Sequence, residues 1–336
     1  MSTLFVTGVP QLLFALGIPK LTIEKVVLVK PVSDENRMGV RPFSEVEKLT
    51  KLICNELNFQ YQFLNLLEFS TISADILEKD VIDLQILSKL GRIKLSSSPH
   101  VLACQVEHVN LTRPGIANFC RFRSLVKRID LTYKLLIPNR IRTFYTLAPK
   151  RSGWPFLTEN LLDYPKIMES CVRISNALER IEGYQFLGDL ARDFQSSKVM
   201  VVLPKAQHFG GESDFNELMF RNLANLAEEF NVEKVIIKNH PSDDNDYLNL
   251  AKKYFLADQL VSYSDLHSRS LPLEILSAML TRYFIAGVES TSSVVLQYNV
   301  CRPTIIFDTN EHNGSKHQKY DSGEIRQQYL HRLILL

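Results

Sequence analysis

Residues 235–242 have the sequence Val-Ile-Ile-Lys-Asn-His-Pro-Ser, and the prediction of the fold starts from this stretch. It opens with three β-branched residues and stops at His240 and Pro241, which is the pattern of a buried strand ended by a breaker. Ligands of open α/β sheets bind outside the carboxyl ends of the strands. We therefore predict a strand that brings the imidazole of His240 to the ligand-binding edge of a parallel sheet.

Similar apolar runs alternate with amphipathic helical segments along the rest of the chain. Strands are predicted at residues 3–7, 26–32, 59–67, 101–106, 198–203, 235–238, 259–262, 283–286 and 302–307. Helices are predicted at residues 11–16, 43–57, 74–90, 215–230, 247–255 and 272–280, with a closing helix at 323–336. Because strands and helices alternate, we predict an α/β fold of the doubly wound, parallel-sheet type.

The length of 336 residues favours two domains, because a single domain is usually smaller. We predict an amino-terminal domain at residues 1–165, a carboxyl-terminal domain at 195–315 and a helical tail at 316–336.

The composition excludes several classes of protein. Hydrophobic residues make up 45% of the chain and charged residues 23%, which is ordinary for a globular protein, and the net charge of +2 does not indicate nucleic-acid binding. The five cysteines show no CxxC spacing, so we expect neither a disulfide framework nor a zinc site, and a cytoplasmic location. The apolar run at residues 9–18 is too short to span a bilayer and lacks a basic flank, so we expect no transmembrane helix and no secretion.

Residues 113–151 carry ten basic residues and one acid, Asp130. The basic residues are Arg113, Arg121, Arg123, Lys127, Arg128, Lys134, Arg140, Arg142, Lys150 and Arg151. One interpretation is a solvated helix face balanced by acids elsewhere. The other is a surface that attracts an anionic partner, such as the lipid headgroups of the inner membrane face, an acidic glycan or a nucleotide phosphate. No aromatic stacking pattern accompanies the basic residues, so we expect no nucleic acid as a partner.

Three places in the sequence can carry chemistry. His240 has a side chain that titrates near neutrality and can donate a proton to a phosphate leaving group, although a histidine in such a turn also serves structural roles. Ser290 and Thr291 follow the apolar run that ends near Gly287 and precede a helical segment, where hydroxyl and backbone N–H groups bind anions or simply cap the helix. Glu107 follows the strand at 101–106 and can act as a general base or lie on the surface.

We expect no metal site. His312 and His317 are too loosely spaced to bind zinc, and the acidic residues at 243–246 are interpreted as a solvated loop.

Three motifs occur in the order Lys238-x-His240-Pro241, Leu271-Pro272-Leu273-Glu274 and Gly287-x-x-Ser290-Thr291. This order resembles the bacterial sialyltransferases of the lipooligosaccharide and polysialyltransferase type, over about residues 195–310. The resemblance implies a GT-B fold, with two Rossmann-like domains facing across a cleft. It also implies a CMP-sialic acid donor, a lipooligosaccharide or capsular glycan acceptor, inversion at the anomeric carbon and no cofactor or metal.

By position, the resemblance assigns a role to each matching residue. His240, in the His-Pro motif with Pro241, would be the general acid or phosphate ligand of CMP. Ser290 and Thr291, in the motif that begins at Gly287, would bind the CMP phosphate. Lys238 and Glu274 would lie near the cytidine, with Glu274 as a ribose ligand.

The amino-terminal half departs from the family pattern. The family has an acidic Asp/Glu-Asp/Glu-Gly motif that supplies the general base, and the nearest match here is Val106-Glu107-His108-Val109. Either Glu107 is the base of a diverged motif, or the base lies elsewhere, or the transferase activity has been lost. The alternatives are therefore a CMP-sugar transferase with a Kdo-type donor and an inactive glycan-binding or scaffold protein of polysaccharide assembly.

Overall fold

The structure is a computed structural model. It describes residues 2–30, 43–65, 81–83, 102–104, 143–146, 158–205, 213–240, 243, 245, 247–263, 269–287, 304–308 and 332–335. The chain divides into two compact units, the first built mainly from Pro42–Cys171 together with Met1–Arg37, and the second mainly from Val172–Lys319 together with Gly323–Leu336.

The first unit contains a sheet whose described strands follow the order β3-β2-β1-β4-β5. Its elements are β1 (Ser2–Val6), α1 (Val9–Ala15), β2 (Ile23–Lys30), α2 (Phe43–Glu56), β3 (Gln60–Asn65), β4 (Val81–Asp83) and β5 (Leu102–Cys104). The strands β1 to β4 run parallel, and β5 pairs with β4 in the antiparallel sense. A separate parallel pair joins β6 (Thr143–Thr146) to β7 (Thr158–Leu161).

One prediction for the first unit is wrong, and a second is confirmed for the position of a strand but not for its direction. Within the helix predicted at 74–90, residues 81–83 form the strand β4, whose Val81 pairs with Leu4 of β1. Val81 and Ile82 are β-branched residues that fit a sheet better than a helix, and the free edge of β1 decides between the two states. The strand predicted at 101–106 exists at Leu102–Cys104, but it runs antiparallel to its neighbour as an edge strand.

The second unit contains a sheet whose described strands are all parallel, in the order β10-β9-β8-β11-β12-β13. The strands are β8 (Val199–Leu203), β9 (Lys234–Lys238), β10 (Leu260–Tyr263), β11 (Tyr283–Gly287), β12 (Thr304–Asp308) and β13 (Arg332–Leu335). The helices are α3 (Tyr164–Leu178), which contains the division between the units, then α4 (Phe186–Asp193), α5 (Ser213–Glu229), α6 (Leu248–Ala251) and α7 (Leu273–Ser277). The strands predicted in this half of the chain are confirmed to within two residues.

The closing helix predicted at 323–336 is wrong where the structure describes it. Residues Arg332–Leu335 form β13, which extends the sheet by pairing with β12 from Ile305↔Arg332 to Asp308↔Leu335. The apolar run Leu-Ile-Leu is too short for its periodicity to separate helix from strand, so the open edge of β12 decides the outcome.

The strand order places a topological switch point in the second unit. Numbered from β8 in chain order, the strands lie across the sheet as 3-2-1-4-5-6, so successive strands are added on one side of β8 up to β10 and on the other side from β11 onward. In open α/β sheets, ligands bind in the crevice outside the carboxyl ends of the strands at that point. The carboxyl edge around β8 and β11 is therefore the place to look for a site.

The core of the second unit holds this edge in place. β8 and β11 are buried along their whole length, so they are continuous apolar runs without alternation. Helix α5 packs Met219, Phe220 and Leu223 into the same cluster as Val202 and Ile237 of the sheet. Burying an apolar side chain of that size contributes about 1.5–3 kcal/mol.

None of the helices in the described part of the chain is long and apolar enough to cross a membrane.

Candidate functional site

The carboxyl ends of the central strands of the second sheet lie side by side. Tyr263 at the end of β10 pairs with Lys238 at the end of β9, and Leu203 at the end of β8 pairs with Gly287 at the end of β11. β8 lies between β9 and β11. Neighbouring strands are about 4.8 Å apart, so the ends of β9 and β11 are separated by roughly 10 Å.

Gly287 marks the switch point itself. Its φ of +134° lies in a region that side chains of L-residues rarely adopt. A Cβ atom at this position would collide with the backbone of Leu203 on β8. The backbones of β8 and β11 therefore meet here without a side chain between them, and only glycine fits.

His240 lies two residues beyond the end of β9, and its side chain is exposed. The backbone N–H of Asp243 donates to the carbonyl oxygen of His240 over 2.9 Å, which closes a turn after the strand. The imidazole is therefore accessible at this edge, and its role toward a phosphate stays a prediction.

Lys238, predicted to lie near a cytidine, is buried with only 4% of its surface exposed. Its Nζ donates to the carbonyl oxygen of Asn239 over 3.1 Å and to that of Arg269 over 2.9 Å. The ammonium group thus ties the end of β9 to the segment that precedes α7.

Asp243 corrects the prediction of a solvated loop at 243–246, because it is only 3% exposed. Its Oδ1 accepts hydrogen bonds from the backbone N–H of Asn245 over 3.1 Å and from Asn245 Nδ2 over 2.8 Å. Its Oδ2 accepts one from the hydroxyl of Tyr247 over 2.7 Å. Burial raises the pKa of the Tyr247 hydroxyl, and the hydrogen bond to Asp243 and the charge of Asp243 raise it further, so the phenol stays protonated and acts as a donor.

Asp243, Asn245, Tyr247 and Arg269 form a hydrogen-bonded group that we call the Asp243 cluster. It joins the segments that follow three successive strands, β8, β9 and β10. Arg269 Nη1, from the connection after β10, donates to the backbone oxygen of Asp243 over 2.7 Å. The Tyr247 hydroxyl also lies 3.1 Å from the backbone oxygen of Lys205, in the connection after β8. Lys205 is held in turn by Asn216 of α5, whose side chain exchanges two hydrogen bonds of 3.0 Å with the Lys205 backbone.

Sequence reasoning missed this cluster. Asp243 lies among polar residues, and nothing in the local pattern indicates that its carboxylate is buried. The spacing of Asp243 and Tyr247, four residues apart, is the one local signal that could have paired them.

Glu274, predicted to be a ribose ligand, lies in the first turn of α7 and is 2% exposed. Its backbone oxygen accepts a hydrogen bond from Ser277 Oγ over 3.2 Å, and Ser175 Oγ of α3 binds the backbone oxygen of Ile275 over 2.8 Å. Burial this deep leaves the Glu274 carboxylate little surface for a ligand, and its predicted role stays a prediction.

The remaining predicted site residues lie outside the described residues. They are Glu107, Pro241, Ser290 and Thr291, together with the basic residues between Arg113 and Arg151, and their roles stay predictions. Among the described side chains, no group of three or more His, Cys, Asp or Glu residues is arranged as a metal site requires.

No protein-family model matches the chain, and no curated protein is similar to it in sequence. Solved structures that share its fold include the following two. One is the GT-B domain of a sialyltransferase from Photobacterium damselae, at 10% identity, a TM-score of 0.55 and complete coverage of both chains. The other is UDP-GlcNAc 2-epimerase from Methanocaldococcus jannaschii, at 12% identity and a TM-score of 0.51, covering 100% of this chain and 88% of that one. At these identities the similarity establishes the fold, and the predicted GT-B-like α/β class is confirmed.

Proposed function

We propose that the protein is a glycosyltransferase that moves sialic acid from CMP-sialic acid to a lipooligosaccharide or capsular glycan, with inversion. The observation that carries this proposal is the carboxyl edge of the second sheet. There an exposed imidazole, His240, follows β9. Gly287, where the backbones of β8 and β11 meet without a side chain between them, ends β11, roughly 10 Å from the end of β9. A GT-B domain of a sialyltransferase among the similar structures and the order of the sequence motifs both support this function.

In this scheme the second unit binds the nucleotide. His240 donates a proton to a phosphate oxygen of CMP as the bond from that phosphate to the anomeric carbon breaks. The phosphate is held by Ser290 and Thr291 after the strand that ends at Gly287. Lys238 fixes the end of β9 through its two backbone contacts.

The acceptor is activated by the first unit. Glu107 takes the proton of the acceptor hydroxyl, whose oxygen forms the new bond to the anomeric carbon on the face opposite the departing CMP. One proton is removed from the acceptor and one is given to the leaving phosphate, so the reaction balances without a metal or a cofactor.

Calorimetric titration tests the nucleotide. We expect CMP and CMP-sialic acid to bind. Tight binding of CMP-Kdo with no binding of CMP-sialic acid would assign the donor to the Kdo class. Binding of UDP-GlcNAc alone would favour chemistry like that of the structurally similar epimerase. If no nucleotide binds, the proposal fails and a glycan-binding scaffold becomes the better interpretation.

A donor-turnover assay tests the two acting groups. His240→Ala should lower kcat by about 10²- to 10⁴-fold, the usual contribution of a general acid. The control is Glu233→Ala, which removes an exposed side chain at the opposite end of β9 and should leave kcat unchanged. Transfer that is unaffected by Glu107→Ala would remove Glu107 as the base.

A further inference from the structure

We propose that Asp243 is a positioning residue for His240, because its buried carboxylate holds the turn on which the imidazole is carried. This inference rests on the proposed function of His240. Asp243 itself is only 3% exposed, so it is too deeply buried to touch a substrate and must act through its neighbours.

The residues on both sides of His240 are fixed by one partner, Asn245. On the preceding side, Asn239 Nδ2 donates to the backbone oxygen of Asn245 over 2.6 Å. On the following side, the Asp243 carboxylate accepts from the backbone N–H and the Nδ2 of Asn245. His240 therefore lies on a short loop whose two ends are closed by the same residue.

The loop is also anchored to the rest of the unit through Asp243. The carboxylate reaches Tyr247, which is 8% exposed and belongs to the core cluster of the sheet, and the backbone oxygen of Asp243 accepts from Arg269. The hydrogen bond from the Asp243 N–H to the His240 carbonyl oxygen links this anchored residue directly to the backbone of the histidine. Displacing a catalytic group by about 1 Å can lower a rate by about 100-fold, so the anchor matters for the chemistry.

The hydrogen bonds of the Asp243 carboxylate predict which substitutions of Asp243 keep the loop in place. Asp243→Ala removes the two carboxylate oxygens that accept hydrogen bonds from Asn245 and Tyr247. Asp243→Asn keeps an oxygen for Asn245, while its amide can donate to the Tyr247 hydroxyl, whose own proton then goes to the Lys205 carbonyl 3.1 Å away. Asparagine should therefore restore the geometry without the charge.

The kinetic test compares these variants on CMP-sialic acid. Asp243→Ala should lower kcat about 100-fold with KM within threefold of wild type, and Asp243→Asn should recover kcat to within about tenfold of wild type. The control is Asp258→Ala, which removes an exposed carboxylate of the same unit and should leave both constants unchanged.

A double mutant separates positioning from general stability. In the His240→Ala background, adding Asp243→Ala should cost less than about threefold more, because Asp243 acts only through the histidine. A full, additive loss from Asp243→Ala in that background, or an Asp243→Ala protein that folds and keeps wild-type kcat, would overturn the inference.

Amide hydrogen exchange supplies a readout that needs no turnover. The N–H of residue 243 should be protected in the wild type and should exchange at least tenfold faster in Asp243→Ala, while Asp258→Ala leaves it unchanged. Unchanged protection in Asp243→Ala would also overturn the inference. If the wild type binds and turns over no nucleotide sugar, the proposed function fails, and the exchange result alone decides whether Asp243 holds the His240 turn.

Discussion

The carboxyl edge of the second unit and the core of the first unit differ in the polar groups that they bury. In the second unit, Lys238, Asp243 and Glu274 are all less than 5% exposed. Among the described side chains of the first unit, the buried polar residues are the uncharged Gln11 and Thr50.

The hydrogen bonds of the two regions differ in reach as well. In the first unit, Gln11 binds Thr7 and Thr50 binds the carbonyl of Val46, each four residues away. In the second unit, the bonds from Arg269 to Asp243, from Lys238 to Arg269 and from Tyr247 to Lys205 span 26, 31 and 42 residues.

The two patterns of burial have different physical consequences. A buried charge is costly unless it is fully hydrogen-bonded, so a fold seldom keeps one for stability alone. Local bonds satisfy groups within a helix, whereas long-range bonds hold separate loops in one arrangement. The hydrogen bonds therefore hold the polar edge of the second unit in one arrangement. Three substitutions test the contrast between the two units through their effects on the free energy of unfolding.

The largest effect is expected at the switch point. Gly287→Ala forces a Cβ atom into the backbone of Leu203 at a φ that disfavours alanine, and should lower the free energy of unfolding by about 3 kcal/mol or more. The control is Gly188→Ala in α4, where the added Cβ meets the flexible end of Glu179 at 3.2 Å and alanine favours the helix. That variant should stay within about 1 kcal/mol of wild type in urea unfolding. A loss of less than about 1 kcal/mol in Gly287→Ala as well would mean that the close approach at Gly287 does not require glycine.

An intermediate effect is expected at the two ends of β9. Lys238→Met leaves the carbonyl groups of Asn239 and Arg269 without their ammonium donor, one in a buried bond and one in a part-buried bond, and should cost about 2–3 kcal/mol. Lys234→Met, at the start of the same strand, removes an exposed bond to the Asp258 carbonyl and should cost less than about 1 kcal/mol. The comparison is made by urea unfolding of both variants, and similar losses would remove the distinction between the two ends of the strand.

The smallest effect is expected in the first unit. Thr50→Val keeps the shape of a side chain that is fully buried and loses only its 2.6 Å bond to the Val46 carbonyl one helical turn away. The free energy of unfolding should change by less than about 1 kcal/mol, as measured by urea unfolding. A loss as large as that from Lys238→Met would show that the first unit depends on buried polar bonds in the same way.

The sequence predicted the strands of the second sheet well because of their composition. β8 and β11 are short, continuous apolar runs buried on both faces, a pattern with few alternatives once breakers such as Pro204 bound it. The failures at Val81–Asp83 and Arg332–Leu335 are short segments at or near sheet edges, where the neighbouring strand decides the state.

In the candidate site too, some features could be predicted from local sequence patterns and others could not. That a histidine follows a buried strand, and that a glycine ends another, could be predicted from local patterns around His240 and Gly287. That the two strand ends flank a switch point could not, because strand order depends on pairings between residues such as Leu203 and Gly287, which are far apart in the chain.

The sequence by itself therefore determined the α/β class, the strands β8 to β12 of the second sheet and the histidine at the end of β9, because these depend on residues next to one another in the chain. Only the tertiary structure decided that Asp243 is buried, that Lys238 binds carbonyl groups, and that Gly287 meets the backbone of β8. Burial of a polar residue depends on distant partners such as Arg269 and Tyr247, and no local pattern records where they will lie.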